Sequence, residues 1–331
     1  MQAQTPHTAY VGLWCRIEGF QPEALSELIA SRRAVRLWLM RSTIHLVSAR
    51  DAVDLRALIQ PVIDRSLKGQ FGRRLEGLDM DELATIGRAY VEMQPRTFTA
   101  LGDHLLERWP ERDRLALGLA IRAAVPLVQV PPRALWGRSG QSLHTSLEAW
   151  LGDLPPPTLT IDELVTRYLG AFGPASVMDA QAWCGLTKLA EMFERLRPQL
   201  VTFRDEAGRE LFDLPEAPRP DPDTPAPPRL LYDYDNVLLS HADRTRIITK
   251  EEAWSVASRI QESISTFTID GFVAGGWRIR RERDRATLLV KPLRPLAPDD
   301  ESRLAEEGRA LIAFWADDVA SHDVHIDLAA W

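Results

Sequence analysis

At 331 residues the chain is long enough for more than one hydrophobic core, and its 45% hydrophobic and 26% charged content is ordinary for a globular protein. A net charge of −7 excludes a chain that coats nucleic acid over its whole surface, because affinity for phosphate comes largely from Lys and Arg, but it leaves room for a local basic groove. No apolar run approaches the ~20 residues that span a bilayer, no basic-then-apolar leader opens the chain, and Cys15 and Cys184 form no metal or redox spacing.

Those exclusions set the expectations of no membrane, no metal, no cofactor and a cytoplasmic location. Lysine stands only at Lys68, Lys188, Lys250 and Lys291, so arginine supplies the other 36 of 40 basic residues. Arginine forks suit phosphates and base edges, and a GC-rich genome produces the same bias.

In chain order, apolar residues at Tyr10, Val11, Leu13, Trp14 and Ile17 predict a helix over 4–17. Gly19 ends it and Pro22 opens the next helix, which runs to Ser31. Val35 to Val47 reads as two strands joined tightly at Arg41 and Ser42, with a helix from about Ala49 to Leu67 after it. Helices followed by a hairpin are the pattern of a winged helix-turn-helix, the hairpin being the wing. The pattern recurs. Helices over 80–93, 98–108 and 112–124 precede a strand at 126–130 and a return at 142–150. Thr160-Ile-Asp-Glu163 is a capping-box pattern that opens a third set. Its helices cover 160–171, 175–184 and 186–196, the last in the place of a recognition helix, and a hairpin follows at 200–203 and 210–213.

Seven prolines between Pro215 and Pro228 read as a linker or stiff surface loop. Beyond it, strands over 229–239, 265–283, 286–291 and 325–328, with a helix over 299–315, predict a small barrel-like β domain. The expected fold is therefore α+β: three tandem winged helix-turn-helix modules and a C-terminal β-barrel-like domain. The boundaries read as 1–75, 76–156, 157–214, a linker at 215–228, and 229–331.

Three groups of residues could carry function. Arg278, Arg280, Arg281, Arg283, Arg285, Lys291 and Arg294 form a basic hairpin able to grip phosphates, or else a solvated face with local ion pairs. His241, Asp243 and Arg244 make a denser cluster, without a provable triad spacing; His45 alternates with apolar neighbours on the first wing. Gln2 and Gln4, two amides at i and i+2, could hold one water between them, although chain ends usually fray. Gly271 to Gly276 lacks the helix that a dinucleotide fingerprint requires.

Gln2-Ala-Gln4, Ala9-Tyr-Val-Gly-Leu-Trp14 and Arg36-Leu-Trp-Leu-Met-Arg-Ser-Thr-Ile-His-Leu-Val47, followed by Asp235 to Arg244 and Asp270 to Trp277, resemble the winged-helix DNA glycosylase family (AlkZ/YcaQ-like). The likeness spans nearly the whole chain. It implies an enzyme that unhooks interstrand crosslinks and excises bulky N7-alkylated purines from double-stranded DNA, as a monofunctional DNA N-glycosylase and a monomer. It also implies a nucleoid-associated role in DNA repair.

Carried over, Gln2 and Gln4 would position water beneath C1′ of the damaged nucleotide, with Arg41, His45, His241, Asp243 and Arg244 near the site. A cationic lesion is already a good leaving group, so placing water and stabilising an oxocarbenium-like transition state would be the protein's task. Two features depart from the family. It normally has a few tens of residues ahead of the signature, so the first module reads as truncated or begun upstream; and Ser42 stands where Gly is common. The alternatives are a non-catalytic winged-helix DNA-binding protein, as a regulator or truncated paralogue, and a protein-binding scaffold.

Overall fold

The computed structural model describes residues 1–153, 155–249, 252 and 265–329. The chain divides into two compact units, Met1–His7 with Gln21–Ala217 and Thr8–Phe20 with Pro218–Trp331. The fold is mixed α+β.

In the first unit, helix Pro22–Ala30 leads into β1 (Ala34–Trp38), a 3₁₀ turn at Met40–Ser42 and β2 (Ile44–Ser48). Ser48 then accepts the Asp51 N–H and caps the long helix Ala49–Phe71. Helices Met80–Met93, Phe98–Arg108 and Arg114–Ala124 enclose a core of Leu83, Val91, Leu101, Leu105, Leu117 and Ile121. Each such fully buried side chain contributes about 1.5–3 kcal/mol relative to exposure. β3 (Arg96–Thr97), β4 (Leu127–Gln129) and β5 (Leu143–Ser146) join the first hairpin in one antiparallel sheet of order β2-β1-β4-β5-β3. The first two hairpins are thus one sheet, stitched by β1 pairing with β4 through Arg36 opposite Gln129 and Leu37 opposite Val128.

Helices Ile161–Phe172, Val177–Cys184 and Ala190–Leu196 precede the separate hairpin β6 (Val201–Arg204) and β7 (Glu210–Asp213). Tyr168, Leu169, Phe193 and Phe212 from this part share one core with Val35, Leu37, Ile59 and Ile63. The first and third repeats of the sequence pattern are therefore packed as one body.

In the second unit, β8 (Arg229–Leu230), β9 (Ser265–Ile269), β10 (Phe272–Arg281), β11 (Arg285–Pro292) and β12 (Ser321–Ile326) form one open sheet of order β12-β11-β10-β9-β8, a half-barrel with β8 and β12 as its edges. Helix Pro298–Trp315 buries Leu304, Leu311 and Ile312. At its Gly308 an added Cβ would come within 2.9 Å of a Leu288 methyl and 3.2 Å of a Val324 methyl, so a larger residue would force those side chains to shift. Helix Thr8–Trp14 belongs here, with Trp14 stacked on Phe314 at 5.9 Å between ring centres. Arg16 forks onto Asp235 with both contacts at 2.8 Å, and Asp235 also accepts the Val237 N–H to start helix Asn236–Leu239.

Several expected elements differ. The helix over 4–17 begins at Thr8, because residues 1–4 run along the free edge of β2. The helix over 186–196 begins at Ala190, since Gly185 at φ +82° and Lys188 at φ +63° break the turn before it. The strand over 229–239 keeps two residues; Tyr234 at φ +59° reverses the chain and Asp235 caps a helix. The last strand is Ser321–Ile326, fixed by parallel pairing with β11, which no local signal announces. The residues Thr8–Phe20, which periodicity groups with the first 75, cluster instead with the C-terminal unit.

Candidate active site

The first four residues are held in place. The Ala3 N–H donates to Ile44 O at 2.8 Å, the Leu46 N–H donates to Met1 O at 2.9 Å, and Gln2 bridges His45 as a sixth, minimal strand beside β2. Main-chain pairing to a sheet edge removes the fraying expected of a chain end. Because side chains alternate along a strand, Gln2 and Gln4 project to the same side, with Ala3 fully buried on the other.

The amide oxygens of both glutamines are claimed by groups that can only donate. Gln2 Oε1 accepts from the Arg41 guanidinium at 2.7 Å, and Gln4 Oε1 accepts from the Ile44 N–H at 2.8 Å. Neither partner has an acceptor, so the orientation of each amide is decided by chemistry. Both Nε2 groups are turned away from these contacts and donate to none of the described residues. Gln2 is only 3% exposed, whereas Gln4 is exposed.

Arg41 reaches Gln2 because the 3₁₀ turn places it at φ +55° and ψ +19°, a left-handed conformation. Its other terminal nitrogen donates to the Trp183 carbonyl, at the end of helix Val177–Cys184. Gly185 lies against the same turn: its φ is +82°, and a Cβ there would meet Val62 at 2.9 Å and the Arg41 nitrogen at 3.5 Å. Glycine is required here on both counts.

His45 is wholly buried. Its Nδ1 lies 3.1 Å from Thr43 O, and since a carbonyl only accepts, Nδ1 carries the proton. Nε2 is then a buried lone pair with no partner among the described residues. Burial, with the Arg41 charge adding, holds this imidazole well below its ordinary pKa, so the ring is neutral near pH 7. The cluster contains two amides, a guanidinium and a neutral imidazole, and no carboxylate among these four residues. Such a set orients a water or a substrate oxygen; it does not deprotonate one.

The remaining candidates lie in the second unit. His241 is buried, Asp243 accepts the Thr245 N–H at 2.9 Å, and burial pulls the half-buried Arg244 below its ordinary pKa. On the basic hairpin, cross-strand pairing of Arg278 with Leu289, Arg280 with Thr287 and Gly276 with Lys291 puts Arg278, Arg280 and Lys291 on one face. Arg281 is on the opposite face and pairs with Asp318, while Arg285 meets Asp323 at 3.4 Å and Arg294 meets Glu252 at 3.9 Å. Arg283 is exposed at the turn. The hairpin thus divides between local ion pairs and a basic face. Among the described residues no group of three His, Cys, Asp or Glu is placed to hold a metal, and no helix is long and apolar enough to cross a membrane.

Sequence reading missed Arg36, Gln129, Trp183 and Gly185, all of which touch the cluster or its supports. One signal for Arg36 was available: it is the single charge in the otherwise apolar strand Ala34–Trp38.

A family model described as DNA glycosylase AlkZ-like matches residues 1–314. An interstrand DNA cross-link repair glycosylase of Streptomyces sahachiroi is 27% identical over 302 residues, 84% of this chain and 79% of that protein. The solved structure of Streptomyces sahachiroi DNA glycosylase AlkZ matches with a TM-score of 0.73 at 21% identity, over 99% of this chain and 91% of that one, and so has the same fold. With the family model covering all but the last residues, the chain belongs to the AlkZ-like DNA glycosylase family.

Proposed function

We infer that this protein is a monofunctional DNA N-glycosylase that excises N7-alkylated purines or unhooks interstrand crosslinks in double-stranded DNA by water attack at C1′. The observation that carries the reading is the pinned amide pair, Gln2 and Gln4, on one side of an ordered edge segment, with both carbonyl oxygens fixed and both NH2 groups donating to none of the described residues. A nucleophilic water needs orientation more than activation when the leaving base already carries a positive charge. The neutral His45 and the absence of a carboxylate in the cluster agree with that division of labour. Family membership and the cross-link repair glycosylase from Streptomyces sahachiroi support the substrate class.

Gln4, the exposed member, touches the water in this reading, and Gln2, tied to Arg41, sets the geometry beside it. His241, Asp243 and Arg244 serve the substrate DNA in this reading. Arg278, Arg280, Arg281, Arg283 and Lys291 serve the DNA backbone, with Arg281 engaged by Asp318 until DNA competes for it. Three helix-then-hairpin sets, ending at β2, β5 and β7, support three winged-helix modules divided near 75, 156 and 214, with a linker to 228 and a β-rich C-terminal domain. The protein acts as a monomer in the cytoplasm, on the bacterial nucleoid.

Duplex DNA carrying N7-methylguanine, followed by alkaline cleavage at abasic sites, tests the reading. Wild type produces abasic sites without strand scission of its own, and Gln4→Ala lowers the single-turnover rate about 100-fold with DNA affinity unchanged. Absence of abasic sites above background, with DNA still bound, moves the protein to the non-catalytic DNA-binding reading.

A further inference from the structure

We propose that Arg36 is the positioning residue of the amide pair, a buried clamp that holds the Gln2-Ala3-Gln4 backbone in register from behind; this rests on the glycosylase reading. Arg36 sits on β1, one strand in from the edge strand β2, and is 3% exposed. Its side chain crosses beneath β2 and donates to Ala3 O at 2.5 Å and Gln4 O at 3.5 Å. The other terminal nitrogen donates to Gln129 Oε1 on β4, and Gln129 in turn donates to Ser142 beside β5. The clamp is therefore anchored on the second hairpin and delivered to the first four residues.

Three features make this a positioning device. Burying a guanidinium carries a heavy desolvation penalty, and a site of this depth in an apolar strand is satisfied by Val or Leu without it. A planar guanidinium holds its donors in a rigid fork that meets acceptors on two sides without deprotonating, whereas a lysine ammonium is a compact point charge with rotatable donors. The contacts also fall on the carbonyls of the residue between the two amides and of Gln4 itself, while the Gln side chains are fixed separately by Arg41 and Ile44. Backbone and side chains are thus held by independent contacts, which is what keeps two amides within a few tenths of an ångström of one geometry.

The test compares wild type, Arg36→Lys, Arg36→Met, Gln4→Ala and the Gln4→Ala/Arg36→Met double variant in single-turnover excision of N7-methylguanine, with DNA affinity measured by anisotropy. Arg36→Met is expected to slow excision about 100-fold, as a misplacement of roughly 1 Å does, with affinity changed less than about 2-fold. Arg36→Lys, which keeps the charge and one contact, recovers part of that loss and serves alone where Arg36→Met fails to fold. In the Gln4→Ala background Arg36→Met costs little more, because the clamp acts through the amide it positions. Losses that multiply, or affinity falling in step with rate, overturn the proposal.

A second readout is independent of activity. Amide hydrogen exchange at Ala3 and Ile44 and the side-chain NH2 resonances of Gln4 move in Arg36→Lys if the clamp is real. If they do not move, the proposal fails whatever the enzyme does. If they move while wild type excises nothing, the clamp stands and the glycosylase reading fails.

Discussion

Arg36 in the first unit and Arg16 in the second are set against very different partners. Arg16 forks onto Asp235, a carboxylate whose side chain is fully buried, and the pair fixes the start of helix Asn236–Leu239. Arg36 spends donors on the carbonyls of Ala3 and Gln4 and on the amide oxygen of Gln129. The first arrangement neutralises a charge and ties a loop to a helix start; the second directs a charge at neutral dipoles and fixes where a backbone lies. A buried arginine whose acceptors are main-chain carbonyls beside a cluster of polar side chains points to positioning. An exposed arginine that reaches down to a buried carboxylate, as Arg16 does, points to stability.

Breaking the Arg16 pair is the largest expected effect. Arg16→Met leaves a buried carboxylate uncompensated and is expected to cost about 3 kcal/mol in denaturant unfolding, the lower end for breaking a buried pair because the Arg16 side chain is partly exposed. Burial already holds the Asp235 carboxyl above its ordinary pKa even with Arg16 in place. A raised folded-state pKa means stability that is present below the unfolded value and lost as pH rises, so the deficit of the variant grows upward from about pH 4. A deficit independent of pH would remove the electrostatic half of the comparison.

The first unit responds to pH in the opposite sense. His45 and His144 are buried in neutral form, His45 well below its ordinary value and His144 held down to about 3 by burial, with Arg122 and Arg36 adding. The unfolded chain binds protons on these rings below about pH 6.5 while the folded one does not, so stability is lost as pH falls from there. His144 contributes about 1.4 kcal/mol per pH unit, so on the order of 3 kcal/mol is lost by pH 4.5, and His45 adds to the loss in the same direction. Replacing both with Gln is expected to flatten that limb in a pH series of denaturant midpoints; an unchanged slope would place the acid sensitivity elsewhere.

Smaller changes sharpen the contrast at the turn that carries Arg41. Gly185→Ala is expected to cost about 2 kcal/mol, from left-handed strain and contact with Val62, and to slow excision by displacing Arg41 from Gln2. A stability loss without a rate change would separate the turn from the amide pair. Ser42 sits at φ +55° with a buried hydroxyl that has no partner among the described residues. Ser42→Gly is accordingly expected to stabilise by about 1 kcal/mol, read as a rise in melting temperature; a fall would mean that the serine holds the turn.

The sequence by itself determined the elements that short-range chemistry specifies. The Thr160 capping box is present with both of its reciprocal contacts, the hairpin at 34–48 and the β6–β7 hairpin stand where alternation placed them, and the proline-rich segment 215–228 holds no helix or strand. Those features depend on residues a few positions apart, whose spacing is visible in the chain. The cluster was half legible: Gln2, Gln4, Arg41 and His45 were visible as candidates in the chain, and the structure sets Gln2 against Arg41 and the His45 backbone and Gln4 against Ile44.

Only the tertiary structure decided the rest. Pairing of β1 with β4 joins residues more than 90 positions apart. The path of Thr8–Phe20 into the second unit, and the reach of Arg36 from one strand under another to Ala3, depend likewise on contacts between distant segments. No local pattern encodes such contacts, because hydrogen-bonding groups on an edge strand and on a buried guanidinium are satisfied equally well by many partners. Packing of the whole chain chooses among them.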